Sequence, residues 1–145
     1  MSGLHFADLR PGQMLPPVDL HVTQDAIDRY AVASLDYNPV HTDIEWCKRA
    51  QVFGMPDTVG HGMLTMSLMT SVVLNAWYRY GAWITNLEAK FTKPVPAGDT
   101  MHATGFVKEV HPLGPGRNCV LVELAAHNLA GETVGVGSAR VAIPD

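Results

Sequence analysis

The sequence predicts an α+β fold in which an antiparallel sheet packs against one long buried helix. Helix-like segments fill the first half of the chain, whereas the residues after Gly81 are rich in Val, Thr, Ile and Phe and are interrupted by turn-forming segments. Between the two halves, Thr58 to Tyr78 contains no Asp, Glu, Lys or Arg. A long uncharged helix beside several strands is packed most simply when the sheet covers it.

The first elements are short, and their ends carry recognisable signals. Val18 to Val22 alternates as a strand does. Thr23 is a suitable N-cap, and apolar residues at helical spacing follow it, so we predict a helix over residues 24–34. We predict a second helix that starts at the capping box Thr42-Asp43-Ile44-Glu45 and runs to about Ala50.

The longest predicted helix runs from about Met63 to Tyr80, and Gly81 follows it as a C-terminal cap. It is apolar nearly all round, so we expect it to be buried on most sides. Its length is close to that of a membrane span, but Thr and Ser side chains recur along it, which favours a core helix and no membrane association. The N-terminal residues do not resemble a secretory signal, so we expect a cytoplasmic protein.

Four strands are predicted after the long helix, because Val- and Thr-rich segments alternate with turns that contain Gly and Pro. We expect the strands to follow one another as an antiparallel meander. The predicted strands are residues 82–92, 100–111, 117–129 and 132–143, and the turns are Pro94 to Asp99, Pro112 to Gly116 and Ala130-Gly131.

Charge and cysteine content narrow the classes of partner. Ten Lys and Arg against 14 Asp and Glu give a net charge of -4, and the basic residues are scattered. Nucleic acid is therefore not expected as a partner, and a charge-poor small ligand or a protein fits better.

Cys47 and Cys119 lack a CxxC or metal-type spacing, so we expect two reduced thiols, one in a helix and one in a strand.

The segment with the strongest chemical signal lies between the first two predicted helices. Asp36 follows one helix and His41 precedes the next, with Asn38-Pro39 forcing a tight turn between them. A carboxylate and an imidazole that converge can hold one water, take a proton from it and deliver a proton to a neighbouring carbon. From the residues alone two structural roles stay open: Asp36 as an Asx-turn or cap residue, and His41 as a packed side chain.

A second group of residues opens the long helix. Val59-Gly60-His61-Gly62-Met63 places glycine where the backbone N–H groups of a helix start are unpaired. A ligand oxygen can approach Gly62 closely, which suits a thioester oxygen that becomes enolate-like. The alternative is that the glycines only form a tight entry turn. A metal site from Asp36, His41, Asp57 and His61 is conceivable, but no ligand spacing supports it, so no metal or dissolved cofactor is expected.

Together these segments resemble the MaoC-like dehydratase family, also called the (R)-specific enoyl-CoA hydratase family. The resemblance covers nearly the whole chain in order and length. It depends on Asp36-Tyr37-Asn38-Pro39-Val40-His41, then Ala50, then His61-Gly62-Met63-Leu64, and more weakly on Phe91-Thr92-Lys93-Pro94-Val95 with Gly98-Asp99. It implies one hotdog domain over residues 1–145, with a sheet wrapped around a central helix, and a homodimer at least.

The resemblance also implies an activity and a set of site residues. The activity is the reversible addition of water to a trans-2-enoyl thioester of CoA or an acyl carrier protein, which gives the (R)-3-hydroxyacyl thioester. Asp36 and His41 would hold and activate the water, and the amide of Gly62 would point at the thioester carbonyl. Asn38 would orient the loop, and His61 belongs with the substrate-binding group.

One residue departs from the family pattern. The family usually has Gly immediately before the aspartate, whereas this chain has Leu35. Because leucine disfavours a positive φ, we expect a differently shaped loop or a partly filled pocket. Two other functions stay open: an acyl-CoA thioesterase on the same fold, and a subunit that is active only with a partner hotdog chain.

Overall fold

The structure is a computed structural model that describes residues 3–145. It contains four α-helices and five strands, together with short 3-10 turns at Phe6–Asp8 and Tyr78–Tyr80. In chain order the elements are β1 (Val18–His21), α1 (Gln24–Ser34), α2 (Pro39–Thr42), α3 (Ile44–Ala50), α4 (Gly62–Trp77), β2 (Trp83–Phe91), β3 (Thr100–His111), β4 (Cys119–His127) and β5 (Thr133–Ala142).

The five strands form one antiparallel sheet in the order β1-β3-β4-β5-β2. The predicted four-strand meander is therefore wrong for its first strand, because β2 lies at the far edge and pairs with β5, with Trp83 opposite Ala142. Only β3, β4 and β5 follow one another. A segment with proline and glycine has the same appearance in a sequence whether it closes a hairpin or crosses a sheet, so the sequence could not reveal the crossover.

The crossover, residues 92–99, lies against the segment that leads into α4. The N–H of Gly60 donates to the carbonyl of Val95 at 2.8 Å, and the N–H of Ala97 donates to the carbonyl of Thr58 at 2.9 Å. The N–H of Gly98 donates to the carbonyl of Val22, the residue after β1, at 2.7 Å. These bonds hold the crossover on the rest of the fold along much of its length.

Helix α4 contacts every strand, so the sheet curls around it. Met69 lies at the centre of this contact with no exposed surface, and two glycines of β5 make room for it. A Cβ atom on Gly135 would lie 3.4 Å from its Sδ atom, and one on Gly137 would lie 3.2 Å from its Cε atom. The α+β class and the hotdog arrangement are confirmed.

The opposite side of α4 is less buried than its composition predicts. Met63, Leu74 and the following Tyr78 are 49%, 38% and 69% exposed, and they recur on one face of the helix. Burial on most sides is thus not achieved within this chain. Among residues 3–145, no helix combines the length and the apolar character that crossing a membrane requires.

The helix ends agree with the sequence in two places and differ in a third. Thr23 accepts the N–H of Ala26 and caps α1 as predicted, and the turn after α4 ends at Gly81 with φ 87°. The predicted capping box is wrong. Asp43, not Thr42, caps α3 by accepting the N–H of Trp46 at 2.9 Å, because the preceding residues form the additional short helix α2.

Both cysteines are free and buried, Cys47 in α3 and Cys119 at the start of β4, as predicted for two unpaired thiols. Burial raises the pKa of the Cys47 thiol, and the nearby carboxylates of Asp43 and Asp57 raise it further. Cys47 is therefore a poor nucleophile in this fold.

Leu35 ends α1 in the left-handed conformation, with φ 60° and ψ 20°. The backbone at Leu35 thus takes the left-handed conformation that glycine favours, and leucine does not avoid the positive φ as expected. The leucine side chain is 75% exposed and does not line the active-site cavity described below, so the expectation of a filled pocket is also wrong. The strain is retained in the backbone.

Leu35→Gly is expected to raise the free energy of unfolding by about 0.5–1 kcal/mol. The left-handed conformation costs a residue with a Cβ about 1–2 kcal/mol, and the greater freedom of glycine in the unfolded chain offsets part of the gain. Thermal unfolding followed by circular dichroism should show a midpoint about 1–4 °C higher. Val32→Gly, in the regular part of α1, should lower the midpoint. If Leu35→Gly also unfolded at a lower temperature than the parent, the inference that Leu35 is strained would be wrong.

Candidate active site

The loop between α1 and α2 brings Asp36 and His41 together through local hydrogen bonds. The side chain of Asn38 accepts the N–H of Val40 at 3.2 Å and caps α2, with Pro39 in the first turn. The Asp36 carboxylate accepts the N–H of Asn38 at 3.2 Å. Its other oxygen, Oδ2, lies 3.9 Å from Nε2 of His41. This separation is too long for a hydrogen bond but suits two groups that share one water.

The imidazole of His41 is held in one tautomer. Its Nδ1 lies 2.7 Å from the carbonyl oxygen of Val59, which can only accept, so Nδ1 carries the hydrogen and donates it. Gln24 of α1 donates to the main-chain oxygen of His41 at 2.8 Å and fixes its backbone. In the neutral ring Nε2 then has a free lone pair on the side of Asp36.

Burial lowers the pKa of His41 and is the largest influence on it. The hydrogen bond to Val59 raises the pKa, His61 lowers it, and the Asp36 carboxylate raises it, in decreasing order of size. The net direction is downward from the ordinary value of 6.5. A lowered pKa keeps the imidazole neutral near pH 7, which is the form that can accept a proton.

His61 lies directly behind His41. The two rings stack with centroids 3.8 Å apart and planes inclined by 25°, and the ring of Tyr30 lies 4.8 Å from His61 on another side. Nε2 of His61 lies 3.0 Å from the main-chain oxygen of Asp36, and the residue is 2% exposed. His61 thus touches both members of the pair without reaching solvent.

An open cavity of about 370 Å³ begins at His41 and extends along the start of α4. Of the five residues predicted for the site, His41 and Gly62 line it, whereas Asp36, Asn38 and His61 do not. Asp36 stands beside His41 with about half of its side chain exposed. The other lining residues are Phe53, Val59, Gly60, Thr65, Phe91, Thr92, Lys93, Pro94 and Val95.

The start of α4 is covered by an aromatic ring. A Cβ atom on Gly62 would lie 2.7 Å and 2.8 Å from two carbons of the Phe91 ring, so only glycine allows this approach. The N–H groups of Leu64 and Thr65 donate to the carbonyl of His61, whereas those of Gly62 and Met63 begin the helix and have no partner within it. Close packing and an available amide therefore meet at the same glycine.

Several residues of the cavity were not predicted from the sequence. Phe91 comes from the last position of β2, and Phe53 comes from the irregular segment after α3. Phe91 carried a signal, since it belongs to the weaker part of the family resemblance. Phe53 and the anchoring Gln24 carried none, because their neighbours in space are distant in sequence.

Asp36, His41 and His61 form the one cluster of three potential metal ligands that residues 3–145 contain, with one ligand atom of each within 4.8 Å of the others. Asp57 does not belong to it. The two imidazoles stack almost face to face, so their lone pairs lie in two nearly parallel planes, an arrangement that does not favour convergence on one ion. The geometry is thus unfavourable for a metal, and its expected absence stays a prediction.

A comparison with protein-family models matches residues 8–126 to the MaoC like domain. The match spans most of the chain and includes the segments on which the resemblance depends. The chain belongs to the MaoC-like family. The predicted resemblance is therefore confirmed.

Known proteins similar to this MaoC-like chain match it along most of its length. An (R)-specific enoyl-CoA hydratase of Rhodospirillum rubrum is 29% identical over 140 residues, which cover 97% of this chain and 92% of the relative. The structure of the R-hydratase PhaJ1 from Pseudomonas aeruginosa in the unliganded form is 26% identical, with a TM-score of 0.85 and coverage of 97% and 85%. The ChsH1-ChsH2 complex from Mycobacterium tuberculosis, at 22% identity, TM-score 0.76 and coverage of 92% and 98%, shares the fold.

Proposed function

We propose that this MaoC-like chain catalyses the reversible addition of water to a trans-2-enoyl thioester, giving the (R)-3-hydroxyacyl thioester. The observation that carries the proposal is the 3.9 Å separation between Asp36 and the free nitrogen of a neutral His41, at the mouth of a largely apolar cavity. The relative from Rhodospirillum rubrum, whose name describes this reaction, supports it.

In the proposed reaction a single water binds to both groups. One of its hydrogens points to the Asp36 carboxylate, and its second hydrogen points to Nε2 of His41. As the water oxygen bonds to C3 of the enoyl group, the water O–H bond breaks and its proton passes to the Asp36–His41 pair. The electrons of the C2–C3 double bond move toward the thioester carbonyl, and the pair then returns a proton to C2. Dehydration is the same sequence in reverse.

The thioester oxygen gains negative charge during this step, and the start of α4 is placed to stabilise it. The N–H of Gly62 is unpaired within the helix, and Gly62 lines the cavity together with His41. The Phe91 ring packs on this glycine where a Cβ atom would stand, so a turn of the ring would widen the approach to the start of α4. Phe91 is 44% exposed at the end of an edge strand, which gives it space to turn.

The other two predicted residues act behind the cavity. Asn38 caps α2 and donates its own N–H to the Asp36 carboxylate, so it holds the loop that carries the pair. His61 makes no contact with the cavity, and we assign it a supporting role. The acyl chain would occupy the apolar part of the cavity, bounded by Phe53, Val59 and Val95. The carrier is CoA or an acyl carrier protein.

The test uses purified protein with crotonyl-, octenoyl- and branched enoyl-CoA and with the matching acyl-carrier-protein thioesters. Hydration removes the absorbance of the conjugated double bond and gives an (R)-3-hydroxy product on chiral analysis, with no free thiol. Activity is expected to survive EDTA, because no metal takes part. Release of free thiol without loss of a double bond would instead establish a thioesterase, and loss of activity in EDTA with recovery on adding zinc would contradict the metal-free step.

The chain is expected to form a homodimer at least. Among residues 3–145 no strand pairs with the outer edge of β2, and Met63, Leu74 and Tyr78 leave an apolar stripe along α4. Light scattering at micromolar concentration should give twice the chain mass or more. Leu74→Glu should produce a monomer, whereas Leu129→Glu, at an exposed turn, should not. A monomeric parent protein would contradict the proposal, and activity only with a second hotdog chain would establish a heteromeric enzyme.

We propose that residues 1–145 form one hotdog domain that works without a dissolved cofactor. Its partners are the acyl thioester and further copies of itself, with no nucleic acid or membrane. A cytoplasmic location stays a prediction from the sequence.

A further inference from the structure

His61 is the most deeply buried titratable side chain beside the reacting groups, yet it does not line the cavity. Although it stands at the N-cap position of α4, its side chain makes no cap hydrogen bond. The ring instead turns toward the loop that carries Asp36. A helix cap or a substrate contact therefore does not explain this histidine.

The tautomer of His61 follows from its neighbours. A main-chain oxygen can only accept, so the 3.0 Å contact with Asp36 requires the hydrogen to be on Nε2. Nδ1 of the neutral ring then has a free lone pair, and it is buried without a hydrogen-bond partner among the described residues.

We propose that His61 is the positioning residue of the hydration reaction. Its Nε2–H holds the main chain at Asp36, and its ring face holds the imidazole of His41, so that one buried side chain sets the 3.9 Å separation in which the water binds. This inference depends on the proposed function, and it adds a third residue to the pair. His61 acts through Asp36 and His41 and does not touch the substrate.

Two features make this role specific to histidine. A phenylalanine would stack on His41 but could not donate to Asp36, and a glutamine could donate but would give up the stacking surface. The unpaired Nδ1 is a penalty that an apolar core residue would avoid. In compensation, the hydrogen bond from His61 to the main-chain oxygen of Asp36 ties the exposed loop after Leu35 to the buried start of α4.

The groups that face His41 come from three parts of the chain. Asp36 belongs to the loop before α2, His61 opens α4 and is itself faced by Tyr30 of α1, and Lys93 of the crossover lines the same cavity. His61 contributes to the lowered pKa of His41. Replacing His61 should therefore raise that pKa, and the neutral, active form of His41 should be lost at a higher pH than in the parent.

The experiment compares His61→Phe, His61→Gln and the control Val72→Ala in the protein as purified. Val72 is fully buried in the second half of α4 and does not line the cavity, so the control should lower stability without altering the site. The measurements are kcat and KM for an accepted enoyl-CoA across pH, and the titration of His41 followed by nitrogen NMR of labelled histidine.

We expect His61→Phe to lower kcat by about 10–100-fold with KM within about threefold, because the water would lose its fixed position. His61→Gln should lower kcat less, by about 3–10-fold, since it keeps the donor to Asp36. In both variants the acidic limb of the kcat profile and the His41 titration should move to higher pH. Val72→Ala should lower the melting temperature and leave both curves in place.

Parent-like kcat and an unmoved His41 titration in His61→Phe would overturn the proposal, as would a Val72→Ala control that behaves like the His61 variants. If the phenylalanine variant does not fold, the glutamine variant decides by the same two curves. A parent protein without hydratase activity would refute the proposed function instead. The NMR titration would still report whether His61 sets the state of His41.

Discussion

Asp36→Asn is expected to lower the rate of hydration by about 10²–10⁴-fold, or roughly 3–5 kcal/mol of barrier. The amide keeps the shape of the side chain and can still accept the N–H of Asn38, so the loop should survive. It cannot accept the proton of the water. The measurement is hydration of an accepted enoyl-CoA, with circular dichroism as the check on folding.

His41→Ala should have a similar effect, and the double variant should be little slower than either single one. Both side chains hold the same water, so removing one already disables the other. If Asp36 only capped a turn, the asparagine variant would differ little from the parent, because asparagine caps about as well. A folded Asp36→Asn protein within about tenfold of the parent rate would therefore exclude the proton-transfer role.

Gly137→Ala should have the largest effect on stability. A Cβ atom there would lie 2.3 Å from the main-chain oxygen of Glu88, so β2 and β5 would have to separate. We expect the free energy of unfolding to fall by about 3 kcal/mol or more, and the melting temperature to fall by roughly 6–12 °C. Thermal and urea unfolding of the purified variant provide the measurement.

Gly135→Ala is the matched control in the same strand. Its Cβ would meet side-chain atoms of Thr65 and Met69 at 3.0 Å and 3.4 Å, and a methionine can move where a backbone cannot. The expected loss is about 1 kcal/mol. Equal losses for the two variants would mean that the backbone contact at Glu88 does not limit the packing of β5.

The parts of the fold that the sequence predicted are those with local causes. Thr23 and the apolar spacing after it define α1, and the end of α4 near Gly81 follows from a glycine with positive φ. The position of β2 at the far edge of the sheet has no local cause. It results from pairing with β5, whose residues are far away in the sequence.

The same division applies to the site. Asp36, Asn38 and His41 lie within one short loop, so a turn at Asn38-Pro39 was enough to bring the pair together. His61 and Phe91 join them through tertiary packing, at separations that no sequence period reveals. The capping box failed for a local reason, because an unforeseen helix before Asp43 moved the cap by one residue.

The crossover at residues 92–99 restricts how such an enzyme can diversify. Most surface loops tolerate insertions, but this one carries the chain across the sheet from β2 to β3 and also supplies Lys93 to Val95 as a wall of the cavity. Its hydrogen bonds to Thr58, Gly60 and Val22 fix the path of its backbone along much of its length. A longer crossover would disturb strand order and substrate space together. Changes in acyl-chain preference are therefore expected to arise by exchange of side chains, such as Phe53 or Phe91, at constant loop length.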